Sequence, residues 1–218
     1  MLKQISEKAL DTLIERFPAL SSLREQIIAS VLLLAETYAQ GAKLLICGNG
    51  GSAGDSLHIV GELMKSFTLS RPLPLVLIEE LRRLYPEDAS YYEKYLQQGV
   101  PAISLVSETS LITAYTNDAA ADLVFAQQVV GYGARGDVLL AISTSGNSAN
   151  VLHAVQVAKA KGISVISMTG QSGGKLGRLS DILLNVPSNV THHIQELHLP
   201  LYHGICQMLE MELFGELG

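Results

Sequence analysis

The chain has 218 residues, 48% of them hydrophobic, and a formal net charge of −6 from 21 acidic and 15 basic side chains. That length suits one α/β domain, and the absence of any Lys/Arg cluster argues against direct nucleic-acid binding. No apolar run approaches the roughly 18–20 residues of a membrane span, MLKQISEKAL lacks the apolar centre of a secretory signal, and the two cysteines, Cys47 and Cys206, make no disulfide framework, so a cytoplasmic setting is expected.

From the N-terminus, Ile5–Gln40 reads as helical. Ile5, Ala9, Leu13, Phe17, Leu20, Leu23, Ile27, Val31, Leu34 and Tyr38 recur at three- and four-residue steps, and Leu10 and Ile14 widen the stripe. Pro18 breaks or starts a helix there. A stripe this broad suits packing on the chain's own domain or on a partner subunit, and the periodicity does not choose between them. Lys43–Cys47 reads as a buried strand, Gly48–Ser52 as a loop and Asp55–Lys65 as the helix after it. Leu75–Gly99 is polar-rich with a helical look and Pro86 near its turn, which predicts an inserted helical hairpin or lid. Further strands are expected at Pro101–Val106, Asp137–Ser143, Ser164–Thr169 and Asp181–Val186. Helices are expected at Ala149–Lys161 and from about Thr191 to Phe214. Strands alternating with helices predict an α/β fold, a parallel sheet covered by helices on both faces. Ligands of such sheets bind at the carboxyl ends of strands, so chemistry is expected in the loops after Cys47 and Ile142.

Ser143-Thr144-Ser145-Gly146-Asn147-Ser148 follows a strand and opens a helix. One serine would cap that helix; three serines and a threonine in six residues point to hydroxyls and free N–H groups gathered for a phosphate. No G-x-x-x-x-G-K-[ST] lysine accompanies them, which argues against a nucleotide triphosphate loop. Cys47-Gly48-Asn49-Gly50-Gly51-Ser52 is a second strand–loop–helix junction whose glycines let a ligand approach the backbone. As a dinucleotide site it fails: Ala53 holds the third glycine position and Arg71–Ile78 lacks the acidic residue expected there. His58 and Glu62 are four apart, hence on one helix face, and could reach one metal or substrate. Four of the six histidines fall between His192 and His203. Gln195 and His203, eight apart, lie loosely on one face.

Taken together and in order, GNGGS, H-x-x-x-E-L, S-T-S-G-N-S and I-Q-E-x-H with a histidine eight after the glutamine resemble the phosphoheptose isomerases of the sugar isomerase (SIS) superfamily. The resemblance covers Lys43–Phe67 and Val100–Leu213. It implies a single SIS domain over residues 1–218, a three-layer, flavodoxin-like α/β/α sandwich, and a sugar-phosphate isomerase acting through an enediol. By resemblance His58, Glu62, Gln195 and His203 are ligands of one zinc ion, with Glu62 also the general base and His203 the general acid. Asn49, Gly50, Gly51, Ser52, Glu62, Asn117, Asp118 and Gln195 fall on substrate-binding positions, and Ser143, Thr144, Ser145 and Ser148 on phosphate-binding ones. The family's homotetramers pack their N-terminal helices between subunits, which assigns residues 1–40 to an oligomer contact. Three features depart from the family: the insert Leu75–Gly99, Pro200, predicted to kink the last helix, and His193 where an arginine is usual.

Two alternatives stay within the superfamily. A non-catalytic regulator that binds the replication initiator DnaA keeps the phosphate-type loop but lacks H-x-x-x-E, which is present here. SIS enzymes of amino-sugar phosphates usually carry two repeats or different acid residues.

Overall fold

The computed structural model describes residues 1–215. Among them, five strands form one parallel sheet: β1 (Leu44–Cys47), β2 (Ala102–Ser104), β3 (Val138–Ile142), β4 (Ser164–Thr169) and β5 (Ile182–Asn185), in the order β2-β1-β3-β4-β5. All pairings are parallel, with Leu45 opposite both Ile103 and Leu139. This is the flavodoxin-like order, and its direction reverses between β1 and β3. A crevice therefore opens at the carboxyl ends of those two strands, where the GNGGS and Ser/Thr loops emerge.

The strands are short and apolar throughout because both sheet faces are covered. Leu44 and Ile46 of β1, with Leu140, Ile142 and Met168, face one layer of helices, built from α1 (Gln4–Arg16), α2 (Arg24–Ala39), α3 (Gly51–Met64) and α9 (Thr191–Phe214). Leu45 and Cys47, with Leu139, Ala141 and Val165, face the other, where α7 (Val124–Tyr132) and α8 (Ala149–Ala160) pack together. Cys47 and Cys206 are buried free thiols, each pushed up to about 12 by burial.

Several expectations need adjusting. Pro18 begins a 3₁₀ turn, Pro18–Leu23, between α1 and α2. No uninterrupted apolar run of span length occurs, but an 18-residue window within Pro18–Ala39 reaches a mean hydropathy of 1.2, enough for a span by length and composition alone. Leu20, Leu23, Ile27, Val31 and Leu34 of this stretch are nonetheless buried in the chain's own core, so it is a core helix. Leu10 and Leu13 of α1 are buried in the same way, against α9, so most of the apolar stripe is covered within the chain. α3 starts at Gly51, four residues earlier than expected. Pro200 lies inside α9 without ending it: the proline withholds one N–H, but the helical run continues to Phe214. The insert is a hairpin of α4 (Leu75–Leu84) and α5 (Ala89–Tyr95), as expected, which pack mainly on each other. Its feet meet where Gln98 N donates to Arg71 O.

Candidate active site

The two loops at the crevice are tied together. Gly50 sits at φ 55°, a conformation glycine adopts freely, and turns the chain from β1 into α3. Asn49 and Asn150, the latter in the first turn of α8, exchange two amide hydrogen bonds of 2.9 Å. Ser52 is buried, and its N–H donates to Asn49 O. The Ser143–Ser148 loop is braced from below by the loop after β4. Gly170 N donates to Thr144 O, Leu176 N to Gly146 O and Lys175 N to the Asn147 side chain. Gly146 (φ 65°) passes so close to Gly173 that a Cβ would sit 2.1 Å from its carbonyl oxygen. Ser148 occupies the N-cap of α8, yet its hydroxyl pairs with Ser143 Oγ at 2.9 Å and makes no cap bond. Val151 N donates to Asn150 Oδ1, so the first-turn amides left for an anion are those of Ala149 and Asn150. Thr144, Ser145 and Ser148 are accessible and Ser143 is buried beneath them.

A second cluster lies between α3 and α9. The ligand-type atoms of His58, Glu62 and His203 all lie within 4.8 Å of one another. His58 Nε2 is 3.1 Å from Glu62 Oε1 and 3.4 Å from His203 Nε2. Two ligands on a tetrahedral zinc with bonds of about 2.0–2.1 Å are roughly 3.3–3.4 Å apart; the two distances from His58 are close to that, and the trio lies within 4.8 Å overall. Two imidazoles and a carboxylate are also a donor set zinc accepts. Burial and the neighbouring His58 hold His203 below its ordinary range, with Glu62 acting in opposition. A cleft of about 460 Å³ opens beside His203, lined by Arg16 and Phe17 of the α1 end, Phe67, Leu199 and Gln207.

Gln195 also points toward α3, but higher up. Its amide packs on Gly51, where any Cβ would sit 2.3 Å from Nε2, and it makes no hydrogen bond to the trio. Asn117 and Asp118 close α6 (Thr109–Asp118), the helix after β2; both are exposed and bonded to each other at 2.8 Å. His192 and His193 are exposed, with their rings edge to face at 4.4 Å, and neither belongs to the trio.

Comparisons with known proteins place the chain in a family. The SIS domain family matches residues 93–170. A phosphoheptose isomerase of Shewanella sp. (strain ANA-3) is 36% identical over 219 residues, covering 99% of this chain and 98% of its own. The chain belongs to the phosphoheptose isomerase family. Solved structures of the family carry the same fold. A phosphoheptose isomerase from Neisseria gonorrhoeae aligns with a TM-score of 0.70 at 34% identity, covering 94% of this chain and 92% of its own. One from Francisella tularensis gives 0.74 at 29%, covering 94% and 96%.

Four residues in and around the trio escape the sequence reading. Tyr202 bonds to His58 Nδ1 at 2.9 Å, with Asp55 beside it. Burial raises the Asp55 carboxyl, against the pull of Tyr202 and His58. Arg71 and Glu210 form a fully buried ion pair, 2.6 Å long. Arg71 also donates to Leu63 O and Glu62 O at the end of α3, and Glu210 accepts from the amides of Phe67, Thr68 and Leu69. Burial pushes Glu210 up, but the Thr68 hydroxyl and these amides hold it below its ordinary range. The pair clamps the end of α3 to α9, the two helices that carry the trio. Their spacing in sequence, 139 residues for Arg71 and Glu210, gives no local signal.

Proposed function

We propose that this chain interconverts a ketose phosphate and its aldose, with sedoheptulose 7-phosphate and D-glycero-D-manno-heptose 7-phosphate as the pair. The observation that carries this reading is the convergence of His58, Glu62 and His203 from two helices, on a fold whose Ser/Thr loop opens α8 without spending its hydroxyls on the cap. Membership of the phosphoheptose isomerase family supports it.

The phosphate would be held by Ser143, Thr144, Ser145 and Ser148 and by the amides at the α8 N-terminus. Asn49, Gly50, Gly51, Ser52, Asn117 and Asp118 would contact the sugar hydroxyls. His58 stands seven residues after Gly51 in α3, roughly 10 Å of helix rise, which leaves room for a sugar chain between the loops and the trio. Glu62 would take a proton from C1 of the ketose while His203 gives one to the C2 oxygen, forming the enediol. Glu62 then returns its proton to C2 and His203 accepts the one on the C1 oxygen, so both residues end as they began. Zinc held by His58, Glu62 and His203 would supply the Lewis acidity that lowers the cost of charge on the substrate oxygens; Gln195, whose amide packs on Gly51, would be the fourth ligand only by turning its amide toward the trio. Glu62 has an oxygen for each duty: Oε1 faces His58, and Oε2 lies 3.4 Å from Lys65 Nζ.

The enzyme is proposed to act in a reducing cytoplasm, consistent with its free thiols, and as a homotetramer. The subunit contacts would use the sides of α1 and α2 that their own domain leaves uncovered. A monomer by light scattering at micromolar concentration refutes the tetramer. The activity is tested by a turnover screen of C5–C7 ketose phosphates on purified protein, with and without zinc. Zinc-dependent aldose formation is expected. Inertness with every ketose phosphate overturns the reading.

A further inference from the structure

Both ring nitrogens of His58 are engaged. Nε2 faces Glu62 and His203, while Nδ1 lies 2.9 Å from the Tyr202 hydroxyl. Tyr202 is 2% exposed, so bulk water offers its hydroxyl little alternative. The Asp55 carboxylate, one turn before His58 in α3, lies beside the same hydroxyl, close enough for each to affect the other. The carboxylate is thus within reach of a hydrogen bond from the hydroxyl, while its buried Oδ2 has no partner in close hydrogen-bonding geometry.

A neutral imidazole has one proton and a tyrosine hydroxyl donates one. With the imidazole proton on Nε2, shared with Glu62, Nδ1 accepts from Tyr202 and nothing remains for Asp55. A histidine that binds metal through Nε2 presents a bare nitrogen there and carries its proton on Nδ1. That N–H then donates to the Tyr202 oxygen, and the hydroxyl proton is free to turn to Asp55 Oδ2. In this second arrangement the orphaned carboxylate oxygen gains a donor. The three groups hold the same number of protons in both.

We propose that Tyr202 and Asp55 are positioning residues that select the Nδ1–H form of His58, through the relay His58 to Tyr202 to Asp55, and so ready its Nε2 for metal. This rests on the metal-centre reading above. A Tyr202 that merely fills core space would contribute to stability and leave metal affinity alone. Outer partners of ligating histidines are typically worth about 10–100-fold in affinity.

The test is a zinc competition titration against a coloured chelator on wild type, Tyr202→Phe and Asp55→Asn, joined to ¹⁵N spectra of the His58 ring. Tyr202→Phe removes one oxygen and keeps the ring that packs in the core. It is expected to bind zinc roughly 10–100-fold more weakly, with Asp55→Asn weaker in the same direction. Zinc-loaded wild type should show the His58 proton on Nδ1, shielded from exchange, and Tyr202→Phe should lose that shielding. Zinc affinities of both variants within about threefold of wild type, with wild type binding normally, overturn the relay and leave the metal centre standing. A wild type that binds no zinc removes the metal centre and the relay with it. Should Tyr202→Phe fail to fold, Asp55→Asn decides by the same thresholds.

Discussion

Glu62 and His198 illustrate two opposite uses of an ionisable side chain. Glu62 is half-buried between two histidines, where a carboxylate can meet both metal and substrate. Glu62→Gln keeps the size but cannot accept a proton, so kcat should fall about 10²–10⁴-fold in steady-state assays with the protein still folded. His198 is fully buried on α9, its Nε2 3.3 Å from Thr169 O and its Nδ1 without a partner. Burial holds it down at about 4, against an ordinary value of 6.5. The unfolded chain therefore binds a proton that the folded chain refuses between those values. The stability this gives is complete above pH 6.5 and is lost as pH falls toward 4, amounting to about 3 kcal/mol. Urea unfolding of wild type and His198→Gln at pH 7.5, 5.5 and 4.5 should show wild type losing that much relative to the variant. A constant difference across the three pH values contradicts it.

Elements were legible wherever a local pattern decided them. The apolar runs at Leu44–Cys47, Val138–Ile142 and Ser164–Thr169 announce buried strands, and the i, i+4 spacing of His58 and Glu62 is enough to put them on one helix face. Less legible were the features that depend on distant partners. α3 begins within the GNGGS loop because Gly50 turns the chain directly into it, and the glycines there disguise a helical first turn. Arg71 and Glu210 look like ordinary surface charges in the sequence, and only tertiary packing makes them a buried pair. Arg71→Ala strands the Glu210 charge and uncaps α3, so unfolding by urea should show a loss of about 3–5 kcal/mol. Values under about 1 kcal/mol would place the pair among weak surface bridges. Ser145 is different: it is exposed at the crevice, and its removal should cost ligand rather than fold. Ser145→Ala should raise KM for sugar phosphate roughly tenfold, one charge-assisted hydrogen bond, with unfolding within about 0.5 kcal/mol of wild type.

At the scale of the whole molecule, the parallel sheet places the switch point, the Ser/Thr loop and the first turn of α3 together, and α9 returns across the same face to close the site. The α4–α5 hairpin stands apart from this plan, with Leu75, Val76, Tyr91 and Tyr95 all well exposed. Because Gln98 and Arg71 meet at its base, replacing residues 75–96 by a short turn should leave unfolding free energy within about 1 kcal/mol, measured by urea denaturation. A collapse of stability would make the hairpin part of the core. The central claim, that Glu62 moves a carbon-bound proton through an enediol, is tested most directly in deuterated water. Zinc-loaded wild type incubated with sedoheptulose 7-phosphate should incorporate solvent deuterium beside the carbonyl, and Glu62→Gln should lose that exchange. Full exchange in Glu62→Gln, or none in wild type with any ketose phosphate, would contradict it.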